Sequence, residues 1–229
     1  MSWSALVVAN ASDADAGFVG ERLEQRGYTL RTVLREDGPP RLAEAGPVEL
    51  LLLLGSEWSV HAPVDPPALA AEVALVRDAV EARLPVLAIC YGAQVVSAAL
   101  GGAVAPARVP EIGVVHVRSD DPALVPEGPW TSFHVDGLTP PPDAEVVARN
   151  DCGVQAFVLP GLLGVQFHPE VRPAVLDDWA GRFPDLVRDS GQEHAAMVSA
   201  AAGREAGSRA AAHALVDAFL DRVATTVAP

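Results

Sequence analysis

Apolar positions along this chain fall into short blocks of two periods. Ala5 to Ala9 is a continuous apolar run of strand length, Gly17 to Arg26 repeats its apolar residues at helical spacing, and Tyr28 to Leu34 returns to strand character. After a Pro- and Gly-rich loop at 35–46, Leu50 to Leu54 predicts a further strand, Ala68 to Ala82 a helix and Leu84 to Ile89 another strand. Strands alternating with helices predict a parallel α/β sheet, in an order consistent with a flavodoxin-like layout. The run Val48 to Leu54, interrupted by Glu49, is far too short to span a membrane and reads as a strand covered on both faces.

From Val114 onward the pattern changes. Val114 to Val117, Val146 to Arg149, Val154 to Leu159 and Leu163 to Phe167 are short strand-like runs joined by turns, which predict an antiparallel extension of the sheet. The segment Gln192 to Val227 is alanine-rich and helical in period, with Gly203 and Gly207 marking a break between two helices. No repeat or linker interrupts the chain, so one domain over 1–229 is expected, ending in a helical segment at 190–229.

Chemistry enters at Cys90. The buried strand Leu84-Pro85-Val86-Leu87-Ala88-Ile89 leads into it and Tyr91-Gly92-Ala93-Gln94 leads out into a helix, with small Ala88 and Gly92 letting the turn close. This is the pattern of a nucleophile elbow. Downstream, Gln166-Phe167-His168-Pro169-Glu170 places a histidine and a carboxylate two residues apart, and strand alternation sends both to the face opposite Phe167. A lone buried cysteine is usually a small hydrophobe and a lone histidine usually just hydrogen-bonded. The combination instead predicts a Cys90–His168–Glu170 triad in which Glu170 holds one imidazole nitrogen and the other faces the thiol.

On these residues, together with Leu54-Gly55-Ser56, Glu111-Ile112-Gly113, Phe133-His134-Val135-Asp136 and Gln155-Ala156-Phe157, the chain resembles the class I, triad-type glutamine amidotransferases from about Leu50 to Val171. The likeness is greatest to stand-alone proteins related to the amidotransferase domain of GMP synthase. The resemblance implies a mostly parallel central sheet flanked by helices, release of ammonia from glutamine through a γ-glutamyl thioester, and oxyanion donors at the backbone of Tyr91 and of the Gly55-Ser56 turn. It also implies a substrate contact from Gln94 and a substrate-receiving loop at Phe133, His134, Val135 and Asp136. The lesser alternative for Gln94 is a solvated helix residue, while Asp136 could equally be a turn cap before Gly137 rather than the partner of an ammonium group. One departure stands out: the family turn reads Gly-Gly-Pro where this chain has Gly55-Ser56-Glu57, so a positive φ at position 56 would be strained by Ser. His134 is expected to be structural.

Composition narrows the remaining classes. Half the residues are hydrophobic and a fifth charged, as suits a large buried core. Thirty acidic against sixteen basic residues give a formal charge of −14, which argues against nucleic acid or an anionic membrane as partner. All sixteen bases are arginine, which excludes a P-loop lysine or a Schiff base. No metal-ligand spacing or phosphate-cradling glycine motif is present, so neither metal nor cofactor is expected. Cys152 lies in a turn and is expected to be structural, both cysteines staying reduced. The absence of a basic, apolar leader points to the cytoplasm. Three functions stay open: a glutaminase delivering ammonia to a separate synthetase or transferase, a hydrolase or transferase of another γ-glutamyl amide, and a silent regulatory subunit.

Overall fold

The computed structural model describes residues 3–227; the first two and last two residues of the expected domain lie outside the described residues. Strand β1 (Trp3–Ala9) pairs in parallel with β2 (Tyr28–Leu34) on one side and β3 (Leu50–Leu53) on the other, and β3 pairs with β4 (Val86–Ile89). The crossovers are helices α1 (Gly17–Gln25) and α2 (Pro66–Glu81). Asp65 caps α2 by accepting from the Ala68 N–H, and proline at the first helical positions suits their missing donors. Beyond β4 the sheet continues through β9 (Leu162–Val165), parallel to β4, and then antiparallel through β8 (Val154–Leu159), β7 (Glu145–Arg149), β5 (Ala103–Ser119) and β6 (Gly128–Thr139). This is the expected α/β order with its antiparallel extension.

Alternation along the central strands builds two cores. Ala5, Val7, Leu50, Leu52, Leu87, Ile89, Leu163 and Val165 face one layer, where Val19 and Leu23 of α1 meet Leu215, Val216 and Phe219. Leu6, Val8, Leu51, Leu53, Val86 and Ala88 face the other, packed by Leu75, Val76 and Ala79 of α2 and by Val95 and Val96 of α3 (Tyr91–Ala99). Each strand has helices on both sides, so its residues are buried irrespective of parity, as the continuous leucine run of β3 requires.

Three expectations need correction. The segment Phe133–Asp136 is not a loop but lies within β6, where Asp136 pairs with Pro106 and so cannot cap a turn. Strand β5 starts at Ala103 rather than Val114. Pro106 and Pro110 obscure it in the sequence, and they are tolerated because the ladder shifts register between Pro106 and Glu111. Helices α4 (Pro173–Arg182) and α5 (Pro184–Asp189), each opened by proline, cover the triad strand and were not expected. At the end of the chain, α6 (His194–Ala202) and α7 (Glu205–Ala218) part at Gly203, while Gly207 lies inside α7. No helix among the described residues is long and apolar enough to cross a membrane.

The start of α3 sits hard against β3. A Cβ at Gly92 would lie 2.6 Å from both the Leu53 carbonyl oxygen and the Leu53 Cβ, a clash with backbone that cannot rotate away. Gly92→Ala is therefore expected to lower the melting temperature by several degrees, consistent with a loss of about 1–3 kcal/mol from overpacking. Thermal unfolding followed by circular dichroism measures this, and an unchanged midpoint would show that the elbow helix can shift.

Candidate active site

Cys90 links β4 to α3 with φ 50° and ψ −109°, a region that non-glycine residues rarely occupy. The turn places its thiol above the carboxyl end of the parallel strands, where ligands collect in open α/β sheets. The backbone is held on its strand side by the Cys90 N–H donating to the Val165 carbonyl at 2.7 Å. The Cys90 side chain does not cap α3, so the first N–H groups of the helix are not spent on it.

His168 follows β9 and is fixed by two interactions. Its backbone N–H donates to the Thr131 carbonyl at 2.8 Å, bridging to β6, and its Nδ1 hydrogen-bonds Glu170 Oε1 at 2.7 Å. Nε2 is buried and makes no hydrogen bond. The two groups meet at Gly55, where a Cβ would lie 2.6 Å from His168 Cε1 and 3.7 Å from Cys90 Cβ. Burial favours the neutral imidazole, but the charge of Glu170 and the Cys90 sulfur outweigh it and push His168 up to about 10. The edge of Trp179 from α4 packs on the imidazole at 4.8 Å between centroids. Glu170 is anchored through its carbonyl, which accepts from the Phe18 N–H at the start of α1 at 3.0 Å.

The turn after β3 is held differently from the strained arrangement expected for Ser56. Positive φ among non-glycine residues occurs only at Arg83 and Cys90 of the described residues, so Ser56 carries no such strain. Its hydroxyl donates to Asn10 Oδ1 at 2.6 Å and accepts from the Trp58 N–H at 2.9 Å. Glu57, the second departure, pairs with Arg182 of α4, which also holds Asp13 at 3.0 Å.

The other expected residues are brought to the same cavity, of about 130 Å³, lined by Ser56, Cys90, Gln94, Val135, Asp136 and His168 among others. Gln94 is buried rather than solvated. Its Nε2 donates to the Asp136 carbonyl at 3.2 Å. The Asp136 carboxylate accepts from the Ser59 hydroxyl at 2.5 Å, and Val135 borders the cavity while remaining exposed. His134 has a structural environment, its Nδ1 against the Asp136 carbonyl at 3.0 Å and its Nε2 3.2 Å from Glu111. Burial opposes charge on Glu111, but bonds from His134, Asn150 and Gln155 keep its carboxyl below the ordinary value. Phe133 joins Trp179 and Phe183 in an aromatic wall. Cys152 is exposed and lies away from this cavity, its thiol pushed up by desolvation and by Glu111.

Sequence reasoning missed Arg35, Glu72, Asn10, Trp179 and Arg182. Glu72 left a trace: with Ala68, Leu75, Val76 and Ala79 it falls on the buried face of α2, where a carboxylate needs a partner.

His168 carries a folded-state pKa raised from 6.5 to about 10, so the stability this contributes is complete below 6.5 and is lost as pH rises through 10. Glu170→Gln removes the charge that raises it. The stability difference between wild type and Glu170→Gln is expected to narrow steadily from pH 6.5 to pH 10 in urea titrations. A difference independent of pH would show that the imidazole is neutral throughout.

Comparison with known proteins agrees with this geometry. The family model for glutamine amidotransferase class-I matches residues 59–178, which include Cys90, His168 and Glu170. The GMP synthase [glutamine-hydrolyzing] of Parafrankia sp. is 41% identical over 134 residues, covering 53% of this chain and 23% of that protein. The enzyme of the same name from Aeropyrum pernix is 40% identical over 108 residues, 42% of this chain and 21% of its own length. The chain thus spans less than a quarter of these curated relatives. Among solved structures, a glutamine amidotransferase from Thermotoga maritima superposes with a TM-score of 0.84 at 19% identity, over 96% of this chain and 99% of the other. One from Methylobacillus flagellatus gives 0.85 at 22% identity, over 96% and 95%. With the family model spanning more than half of its residues and the same fold in both structures, the chain belongs to the class I glutamine amidotransferases.

Proposed function

We propose that the chain hydrolyses the side-chain amide of glutamine and passes the ammonia to a separate acceptor enzyme. The observation that carries this reading is the buried His168, bonded to Glu170 through Nδ1 and unpartnered at Nε2 beside Cys90. A charged imidazole stabilises negative charge on the adjacent sulfur, as does the N-terminus of α3. The Cys90 thiolate adds to the amide carbon, and the carbonyl electrons move onto oxygen. The oxyanion falls to the backbone N–H groups of Tyr91 and Ser56. On collapse His168 gives its proton to the departing nitrogen, releasing ammonia and leaving a γ-glutamyl thioester. Water then attacks the thioester with His168 as base, the proton returns to sulfur, and glutamate leaves. Glu170 orients the ring and stabilises its charge without itself taking a proton.

Substrate orientation follows from the two sides of the cavity. The polar side, with Gln94 and Asp136, suits the α-amino and α-carboxylate groups. A synthetase-type acceptor is supported by relatives whose names couple synthase activity to glutamine hydrolysis. No cofactor enters this chemistry, and the cytoplasm is the compartment it suits. One observation favours a second reading: the aromatic wall of Phe133, Trp179 and Phe183 borders the imidazole that would protonate the leaving nitrogen, and could take the apolar amine of a larger γ-glutamyl amide.

Cys90→Ala is expected to abolish glutamate release from glutamine, and Cys152→Ala to leave it within a few-fold. His168→Asn should be nearly inactive and Glu170→Gln impaired but measurable. Labelling with a diazo-ketone analogue of glutamine, mapped by peptide mass, is expected at Cys90; modification at Cys152 would overturn the assignment. Faster turnover of γ-glutamyl anilide than of glutamine, reversed by Trp179→Ala, would select the second reading.

A further inference from the structure

Arg35 is a fully buried arginine in a short turn after β2, and the mechanism above does not use it. Its guanidinium is fully occupied. Nε and Nη2 form a two-point pair with Glu72 at 2.9 and 3.0 Å, Nη1 donates to Asn10 Oδ1 and to the Gly55 carbonyl at 3.0 Å each, and Nη2 also donates to the Leu54 carbonyl at 2.7 Å. The same guanidinium lies over the ring of Tyr91, 4.8 Å from its centroid. A charge buried this deeply persists only when its partners are complete. Here most of those partners belong to the two segments expected to supply the oxyanion donors.

The consequence lies in the planarity of the peptide bond. In a trans peptide the carbonyl of residue 55 and the N–H of residue 56 point in opposite directions. With the Gly55 carbonyl drawn to Arg35, the Ser56 N–H turns away from the guanidinium and toward the cavity that Ser56 and Cys90 share. That N–H has no hydrogen-bond partner among the described residues. Asn10 adds a second restraint, because its Oδ1 accepts from both Arg35 and the Ser56 hydroxyl. On the other side of the cradle, contact with the Tyr91 ring steadies the residue that supplies the second donor.

We propose that Arg35, held by Glu72, is a positioning residue that sets both oxyanion donors of this site. It orients the Gly55-Ser56 peptide through the carbonyls behind it and Tyr91 through its ring. The assignment rests on the acyl-transfer reading of Cys90 but not on glutamine being the acyl donor. It also accounts for the tolerance of Ser at position 56, since the peptide is aimed from its carbonyl side and needs no left-handed residue.

Two reactions of Cys90 separate positioning from general damage. Acylation by p-nitrophenyl acetate passes through a tetrahedral oxyanion, whereas alkylation by iodoacetamide displaces iodide directly and forms none. Arg35→Lys keeps a charge for Glu72 but lacks the fork that reaches two carbonyls. It is expected to slow acylation about 10- to 100-fold, less than the roughly 10²–10³ of outright loss of a donor, while alkylation stays within about twofold. With glutamine, kcat should fall by a similar factor and KM hold. Glu72→Gln, close to isosteric, is the second variant should Arg35→Lys not fold, and is expected to show the same selective loss. Acylation and alkylation falling together, or neither changing, in a folded variant would overturn the role. Absence of glutamine turnover by the wild type, with selective loss of acylation intact, would discard glutamine as substrate and leave the role of Arg35 standing.

Discussion

The buried pair between Arg35 and Glu72 is the constraint around which the upper edge of this sheet is organised. Removing both charges from water is costly, and removing one partner of such a pair typically costs about 3–5 kcal/mol. The cost is offset here because the guanidinium also satisfies two main-chain carbonyls, Leu54 and Gly55, that end a strand with no further ladder partner on that side. The ends of β1, β2 and β3 are thereby tied to α2 by one planar group. Asn10 extends the tie to Glu36 and to the Ser56 hydroxyl, so the network leaves the loop above Cys90 little freedom.

Around this fixed point the side chains of the candidate site come from separate layers. The sulfur is delivered by a strained turn, which persists because β9 holds the Cys90 N–H and Gly92 lets α3 approach Leu53. The imidazole arrives from a neighbouring strand and is clamped by β6 behind and Trp179 at its side. The rim is closed by Arg182, whose pairing with Glu57 and Asp13 connects the covering helix α4 to loops from two other strands. Rigid backbone and side-chain ties, rather than the loops' own preferences, set the geometry of the cavity.

The parallel half of the sheet was legible in the sequence because each strand there is a short apolar run separated from the next by a helical period. That Cys90, His168 and Glu170 come together was legible because they sit at strand ends in a recognisable spacing. The antiparallel half was less so: Pro106 and Pro110 disguise β5, where a register shift accommodates them, and Pro129 disguises β6, an edge strand. Helix α4 opens at Pro173, whose missing donor suits a first helical position, and it was not expected. Arg35 gave no signal at all, since its burial follows from long-range packing and nothing in its neighbours' pattern announces it. Ser56 was read as a source of strain from the family's turn, but the turn here has a backbone that serine adopts freely.

The anchoring of Glu170 through α1 ties the end of the matched segment to the start of the chain. Gly17, with φ +51°, brings the start of that helix so close that a Cβ would lie 1.8 Å from the Glu170 carbonyl oxygen. Gly17, Asn10, Arg35 and Gly55 all precede residue 59, where the match to the family model begins. The geometry of the matched segment is therefore scaffolded by residues that lie outside it. A substitution at Gly17 can thus displace Glu170, and with it the imidazole it holds, without touching either residue.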